Sequence, residues 1–210
     1  MNLKQIFFLA LLLSIFTGSL QAEKWTIGMS LAGMSGTSQD DSLNNQLENS
    51  GLNATASSPG SIRLIWQLFA SYHFSSEWSA ELAYLDLGKA ETSFTGTAVD
   101  IDTFLNSAQE IHPQTAQGFV LSANHFFAID HDTRLKLRAG MYSWAADYTL
   151  QGDTASRSVK QSGTDISFGA SIVFGRCYKT GTLSYISFEQ TTVDETDFPL
   201  LGFGFGYCFR

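Results

Sequence analysis

Charge, proline, cysteine and long apolar runs are all scarce in this 210-residue chain. Charged residues make up 15% of it, against 44% hydrophobic and 13% aromatic. Soluble domains usually carry about a quarter. The net charge of −8 excludes a basic face for nucleic acid. The three prolines, Pro59, Pro113 and Pro199, fall in segments read below as loops, so the strands keep their donors. After residue 22 no apolar stretch approaches the ~20 residues that a membrane-spanning helix needs. Any insertion into a membrane must therefore be by strands.

The two ends carry the clearest signals. Lys4 gives a short basic start, residues 6–16 are apolar, and residues 17–22 are small and polar. That is the pattern of a secretory signal peptide over residues 1–22, cut after about Ala22. No cysteine follows the cut, so no lipoprotein anchor is expected. At the other end, Leu201, Phe203, Phe205, Tyr207 and Phe209 share one parity, while Gly202, Gly204, Gly206 and Cys208 share the other. A strand with large groups on one side and almost nothing on the other suits lipid outside and a crowded lumen inside.

Residues 23–210 read as one all-β domain, an eight-stranded antiparallel up-and-down transmembrane barrel. Eight alternating segments, at 24–33, 62–74, 78–87, 117–127, 134–148, 165–174, 182–188 and 200–210, have about the ten residues of a tilted spanning strand. Segment 182–188 is the least regular. Short connections at 75–77, 128–133 and 175–181 alternate with longer ones at 34–61, 88–116, 151–164 and 189–199. Short periplasmic turns and long outer loops give this alternation, and an even strand number leaves no edge in lipid. Arg134, Lys136 and Arg138 share a parity that must face the lumen. Beyond Gly140 strict parity turns Tyr142 and Trp144 inward, and a bulge near Gly140-Met141 is expected to return them to the outer aromatic girdle.

The four longer connections hold twelve acids, Glu189 among them, against Lys89, Arg157 and Lys160. The excess acid thus belongs to the outer face, and would repel nucleic acid, heparin and bare lipopolysaccharide phosphate while accepting divalent cations or a basic protein. Segment 34–60 has few large apolar groups and is expected to be partly disordered. Asp100 and Asp102 lack the glycine and ligand spacing of a calcium loop. His73, His112, His125 and His131 have no metal-ligand spacing. His112 with a loop serine and an aspartate lacks a nucleophile motif, so no catalytic residue, metal or cofactor is expected.

Inside the barrel, Glu81 is the one acid well within the inward parity of its segment, at a depth similar to that of Arg138. A lumen ion-pair network of Glu81, Lys136, Arg138 and Arg63 is expected, with Arg63 at the outer end reaching toward the loops. Cys177 and Cys208 come to the same rim in an oxidising compartment. They form either a disulfide, worth roughly 3–4 kcal/mol for a loop of about 30 residues, or two half-buried thiols.

The run Arg134-Leu-Lys-Leu-Arg-Ala-Gly-Met-Tyr-Ser-Trp resembles the OmpA-type transmembrane strand that carries an inward arginine before Gly-Met-x-x-Trp. Ser79-Ala-Glu-Leu-Ala-Tyr84 is similar to that family's Glu-Leu-x-Tyr strand, and Gly-Phe-Gly-Tyr-Cys-Phe209 to its closing strand. The resemblance implies a monomeric barrel with a polar, water-poor interior, Arg138 in an internal ion pair and Glu81 as its partner. The chain departs from it in three ways. It ends without a peptidoglycan-binding domain, so no wall anchoring is expected. Arg210 follows the last aromatic. Ser184 stands where related barrels often place an inward acid, so a smaller charge network is expected.

The function expected is non-enzymatic: a bacterial outer-membrane barrel displaying acidic loops for adhesion, colonisation or envelope integrity. A narrow pore is the alternative, opposed by inward Phe69, Leu85 and Phe126; a lipid A-modifying enzyme is the third reading. Expected partners are outer-membrane lipid and lipopolysaccharide around the barrel, the barrel-assembly machinery at the C-terminal strand, and a host-cell or matrix protein at the loops.

Overall fold

The computed structural model describes residues 25–34, 41, 44–45, 47–49, 51, 53–57, 63–88, 93–96, 115–151, 156–175, 181–194 and 196–209. Residues 1–22, expected to be a signal peptide, lie outside the described residues, as do His112, Cys177 and most of the first two long loops. Eight strands close a barrel: β1 (Trp25–Met34), β3 (Arg63–His73), β4 (Trp78–Asp86), β6 (Gln117–Ala128), β7 (Thr133–Gln151), β8 (Ser156–Phe174), β9 (Thr182–Val193) and β10 (Thr196–Cys208). Each pairs antiparallel with its neighbours, and β10 returns to β1 through Thr26↔Cys208 to Gly33↔Leu201. Two further strands among the described residues, β2 (Ala54–Ser57) and β5 (Ser93–Gly96), pair with each other in the loops. Within segment 34–60 the described residues include β2 and helical backbone at 47–49, where Leu47 is buried.

Alternation does what the sequence pattern demands. Leu201, Phe203, Phe205, Tyr207 and Phe209 are all exposed outside, whereas Gly204, Gly206 and Cys208 are buried inside. Two aromatic belts bound the apolar outer band. Trp25 meets Tyr72, and Trp78 meets His125, near the termini; Trp66, Tyr84 and Phe119 form the other belt. From exposed Leu64 on β3 to exposed Phe74 just past its end, ten steps of a tilted strand rise about 25 Å, the height of an outer-membrane apolar band.

Three expectations about strand ends are corrected. First, the β6–β7 register runs without a slip from Ala128↔Arg134 to Gln117↔Ala145, so there is no bulge near Gly140. Tyr142 and Trp144 stay inside, 0% and 5% exposed. They can do so because the lumen offers them partners. The Tyr142 hydroxyl donates to the Leu85 carbonyl at 3.4 Å, and the Trp144 indole donates to Asp165 Oδ2 at 2.6 Å. In single-tryptophan variants, brominated lipid should quench Trp66 and Trp78 strongly and leave Trp144 nearly unaffected; quenching of Trp144 to their level would restore the bulge.

Second, much of the connection read at 151–164 is strand. β7 and β8 stay paired from Thr133↔Phe174 to Gln151↔Ser156. β6 leaves β7 at Ala145, and β9 leaves β8 at Ser167. The upper part is therefore a two-stranded hairpin standing above the barrel wall. Its outer face turns polar beyond Met141 and Ile166, at Ser143, Asp147, Thr164 and Lys160. Third, the connection read at 189–199 shrinks to the two residues between Val193 and Thr196, because those two pair. Asp194 enters the left-handed region with φ 48°, which aspartate tolerates in tight turns. Pro199 is consequently in β10, on the stretch above Leu201 where β9, through Gln190, is its partner among the described strands. A proline there costs no ladder bond to β1.

Candidate functional site

The lumen is filled by a charge cluster. Glu81 is carried by β4 between Ser71 and Ser122 in register. Ser71 Oγ donates to its Oε2 at 2.7 Å, Lys136 Nζ lies 3.6 Å from the same oxygen, and Arg138 Nε lies 3.7 Å from Oε1. Asn124, fully buried, donates to Ser79 Oγ at 3.1 Å and to Glu81 Oε2 at 3.5 Å. Three of the four residues expected in the network thus come together. Arg63 does not join them. It opens β3 opposite Met34 at the loop end, with its side chain beside Gly88.

The strongest contact was absent from the sequence reading. Arg138 Nη1 donates to Glu189 Oε2 at 2.7 Å, and Glu189, assigned above to an outer loop, is a buried residue of β9. The register explains the pairing. Arg138 lies opposite Gly169 on β8, and Gly169 lies opposite Glu189 on β9. With no side chain between them, the two arms close over the glycine. A Cβ at Gly169 would sit 2.8 Å from the Glu189 side chain. Arg138 also donates to Ser122 Oγ at 3.2 Å, and Gln67, with its oxygen turned to the guanidinium, accepts from both terminal nitrogens at 3.1 Å. The smaller network expected from Ser184 is therefore corrected. Ser184 faces outward with Ile186, and the inward parity of β9 carries Leu183, Tyr185, Ser187 and Glu189. Two carboxylates against two cations make the cluster electroneutral, the condition under which buried charge is tolerable.

Aromatic and apolar groups close the lumen on either side of these charges. A methyl at Gly28 would overlap Phe69, and one at Gly204 would overlap Tyr185. The bare β1–β10 wall thus lets both rings fold over it, and they meet edge-on at 6.0 Å. Lys136 Nζ rests 5.0 Å from the Tyr185 ring centre, adding a cation–π contact to its ion pair. Toward the loops, Ile65, Leu85, Leu87, Val120, Phe198 and Leu200 pack with Tyr142 and Trp144 into one buried apolar cluster. The space left beside Ser30, Gln67 and Glu189 is about 10 Å³, room for one water at most.

Near the termini, His73 Nε2 lies 3.2 Å from Thr26 Oγ1 and its ring lies against Phe126. His125 faces outward between Trp78 and Phe127, and His131 is in an exposed turn beside Asp132. Among the described residues no group of three histidine, cysteine or acidic side chains is arranged to hold a metal. Cys208 is buried with Sγ 3.5 Å from Thr26 Oγ1, and no described cysteine is a free thiol.

No curated protein matches the sequence. Among solved structures, the chain is similar to the N-terminal β-barrel domain of Pseudomonas aeruginosa OprF. The identity is 11% and the TM-score 0.48, over 87% of this chain and 96% of that one. It is also similar to Ail, the attachment invasion locus protein of Yersinia pestis, with 14% identity and a TM-score of 0.46, over 88% and 98%. The model of the OmpA-like transmembrane domain matches residues 21–180. With its closed eight-stranded barrel and polar interior, the chain belongs to the OmpA-like transmembrane domain family.

Proposed function

We propose that this outer-membrane barrel is a non-enzymatic surface-interaction protein, serving adhesion, colonisation or envelope integrity through its loop end. One observation carries the reading: the lumen is closed at two levels, by the neutral cluster of Glu81, Lys136, Arg138 and Glu189 and by the apolar cap above it. The interior is spent on holding the barrel shut, while β2 with β5 and the tall β7/β8 hairpin give the opposite end built structure. With Glu189 moved inside, eleven of the twelve acids counted above remain toward the loop end, against Lys89, Arg157 and Lys160. Such a surface favours a basic protein partner over heparin or lipopolysaccharide phosphate. The termini then lie in the periplasm after cleavage near Ala22, and the aromatic β10 is the strand offered to the assembly machinery.

The test is whole-cell binding to host cells and matrix proteins by barrels with 34–60 and 89–114 shortened, after heat-modifiable folding is verified. Lost binding with intact folding supports the adhesive reading; unchanged or absent binding sinks it. We also propose that Cys208 bonds Cys177 and ties β10 to the turn before β9. Intact mass after alkylation without reductant should show no added alkyl group, and two additions would contradict the bond.

A further inference from the structure

β8 is longer than the wall it helps to build. Along 167–174 it is paired on both sides, by β7 and β9; along 156–166, among the described residues, its ladder is to β7. The β9/β10 hairpin turns back at Asp194, and a cleft of about 470 Å³ opens between the two hairpins, lined by residues 161–165, Trp144 and Asp194. Five consecutive residues of one strand line it. Successive side chains point to opposite faces, so a cleft touching both sets runs along the strand's edge.

The chemistry of this edge is acidic. Asp165 Oδ2 accepts from the Trp144 indole at 2.6 Å and from the Asp194 backbone N–H at 2.9 Å. These bonds fix the carboxylate in place and leave Oδ1 engaged by neither donor. Asp194 lines the same cleft. Among the described side chains, the nearby cation on β8, Lys160, is turned to Asp147 at 3.0 Å on the exposed face.

We propose that this cleft is a strand-addition site. An extended segment of a partner protein, bearing a lysine or arginine, adds to the edge of β8 through main-chain hydrogen bonds. It sets its cation against Asp165 Oδ1. The inference rests on the surface-interaction reading and deepens it: it names where on the loop end a partner binds and what that partner presents.

The experiment titrates the whole folded barrel in micelles with a synthetic peptide alternating threonine and lysine. The same peptide N-methylated at alternate residues and a threonine–glutamate version serve as comparators, and amide exchange is followed along 158–164. The threonine–lysine peptide should slow exchange there, and the other two should not. Asp165→Asn should weaken binding about tenfold, the worth of one charge-assisted hydrogen bond, with heat-modifiable folding retained. Equal binding after N-methylation, or protection elsewhere than 158–164, would overturn strand addition. Protection that grows with barrel concentration in the absence of peptide would assign the edge to a second copy and overturn the occupant named here. Loop-dependent cell binding without peptide protection sinks this inference and spares the adhesive reading; peptide protection without cell binding does the reverse.

Discussion

Glu189→Ala destabilises the barrel by about 3–5 kcal/mol, because it strands a buried guanidinium without its partner. Arg138 is 4% exposed and holds Glu189 at 2.7 Å, whereas its other carboxylate contact, to Glu81, is at 3.7 Å and shared with Lys136. The companion variant Glu189→Leu with Arg138→Met should recover most of the loss, since an apolar pair of similar volume avoids the desolvation that two charges incur. Urea titration of the barrel folded in liposomes reads both. Were Glu189 a loop residue, alanine there would change stability by within about 0.5 kcal/mol, and that result would remove it from the lumen.

Leu137→Arg has the second largest effect, about 2–4 kcal/mol of destabilisation for a cation at the bilayer midplane. Leu137 is exposed on the outer face between inward Lys136 and Arg138, so one strand carries cations that are tolerated beside a site where a cation is not. Ala145→Arg, on the same face of the same strand but beside Gln117 at the end of the wall, should cost about 1 kcal/mol or less, as lipid-face cations do near the interface. The difference between the two marks the upper edge of the lipid. Equal costs would mean that the outer band is placed wrongly along β7.

The barrel itself was legible in the sequence because a side-chain period of two is a local signal repeated eight times. Glu81, Lys136 and Arg138 were legible for the same reason: each sits within a strongly alternating run, and a charge on the wrong parity would face lipid. Glu189 was missed because it follows the weakest segment, where Thr182, Ser184 and Ser187 blur the contrast between faces, and an acid at that boundary reads as loop. Continuing the parity of Leu183, Tyr185 and Ser187 would have turned it inward, but nothing local announces its partner across Gly169. That meeting depends on the register of three strands. Tyr142 and Trp144 were misplaced for a related reason. Aromatics in a barrel strand suggest the outer girdle, yet the lumen near the loops is apolar and holds an acceptor for each, a feature set by distant strands.

Single-channel conductance in planar bilayers tests the central claim most directly. A lumen plugged by a neutral four-charge cluster beneath an apolar cap should give no resolved openings for the native barrel. Removing Glu189 alone should not create them, because Tyr142, Trp144 and Phe198 still close the path. Stable, reproducible openings of the native protein would contradict the closed lumen and move the work of this protein from its loops to its interior.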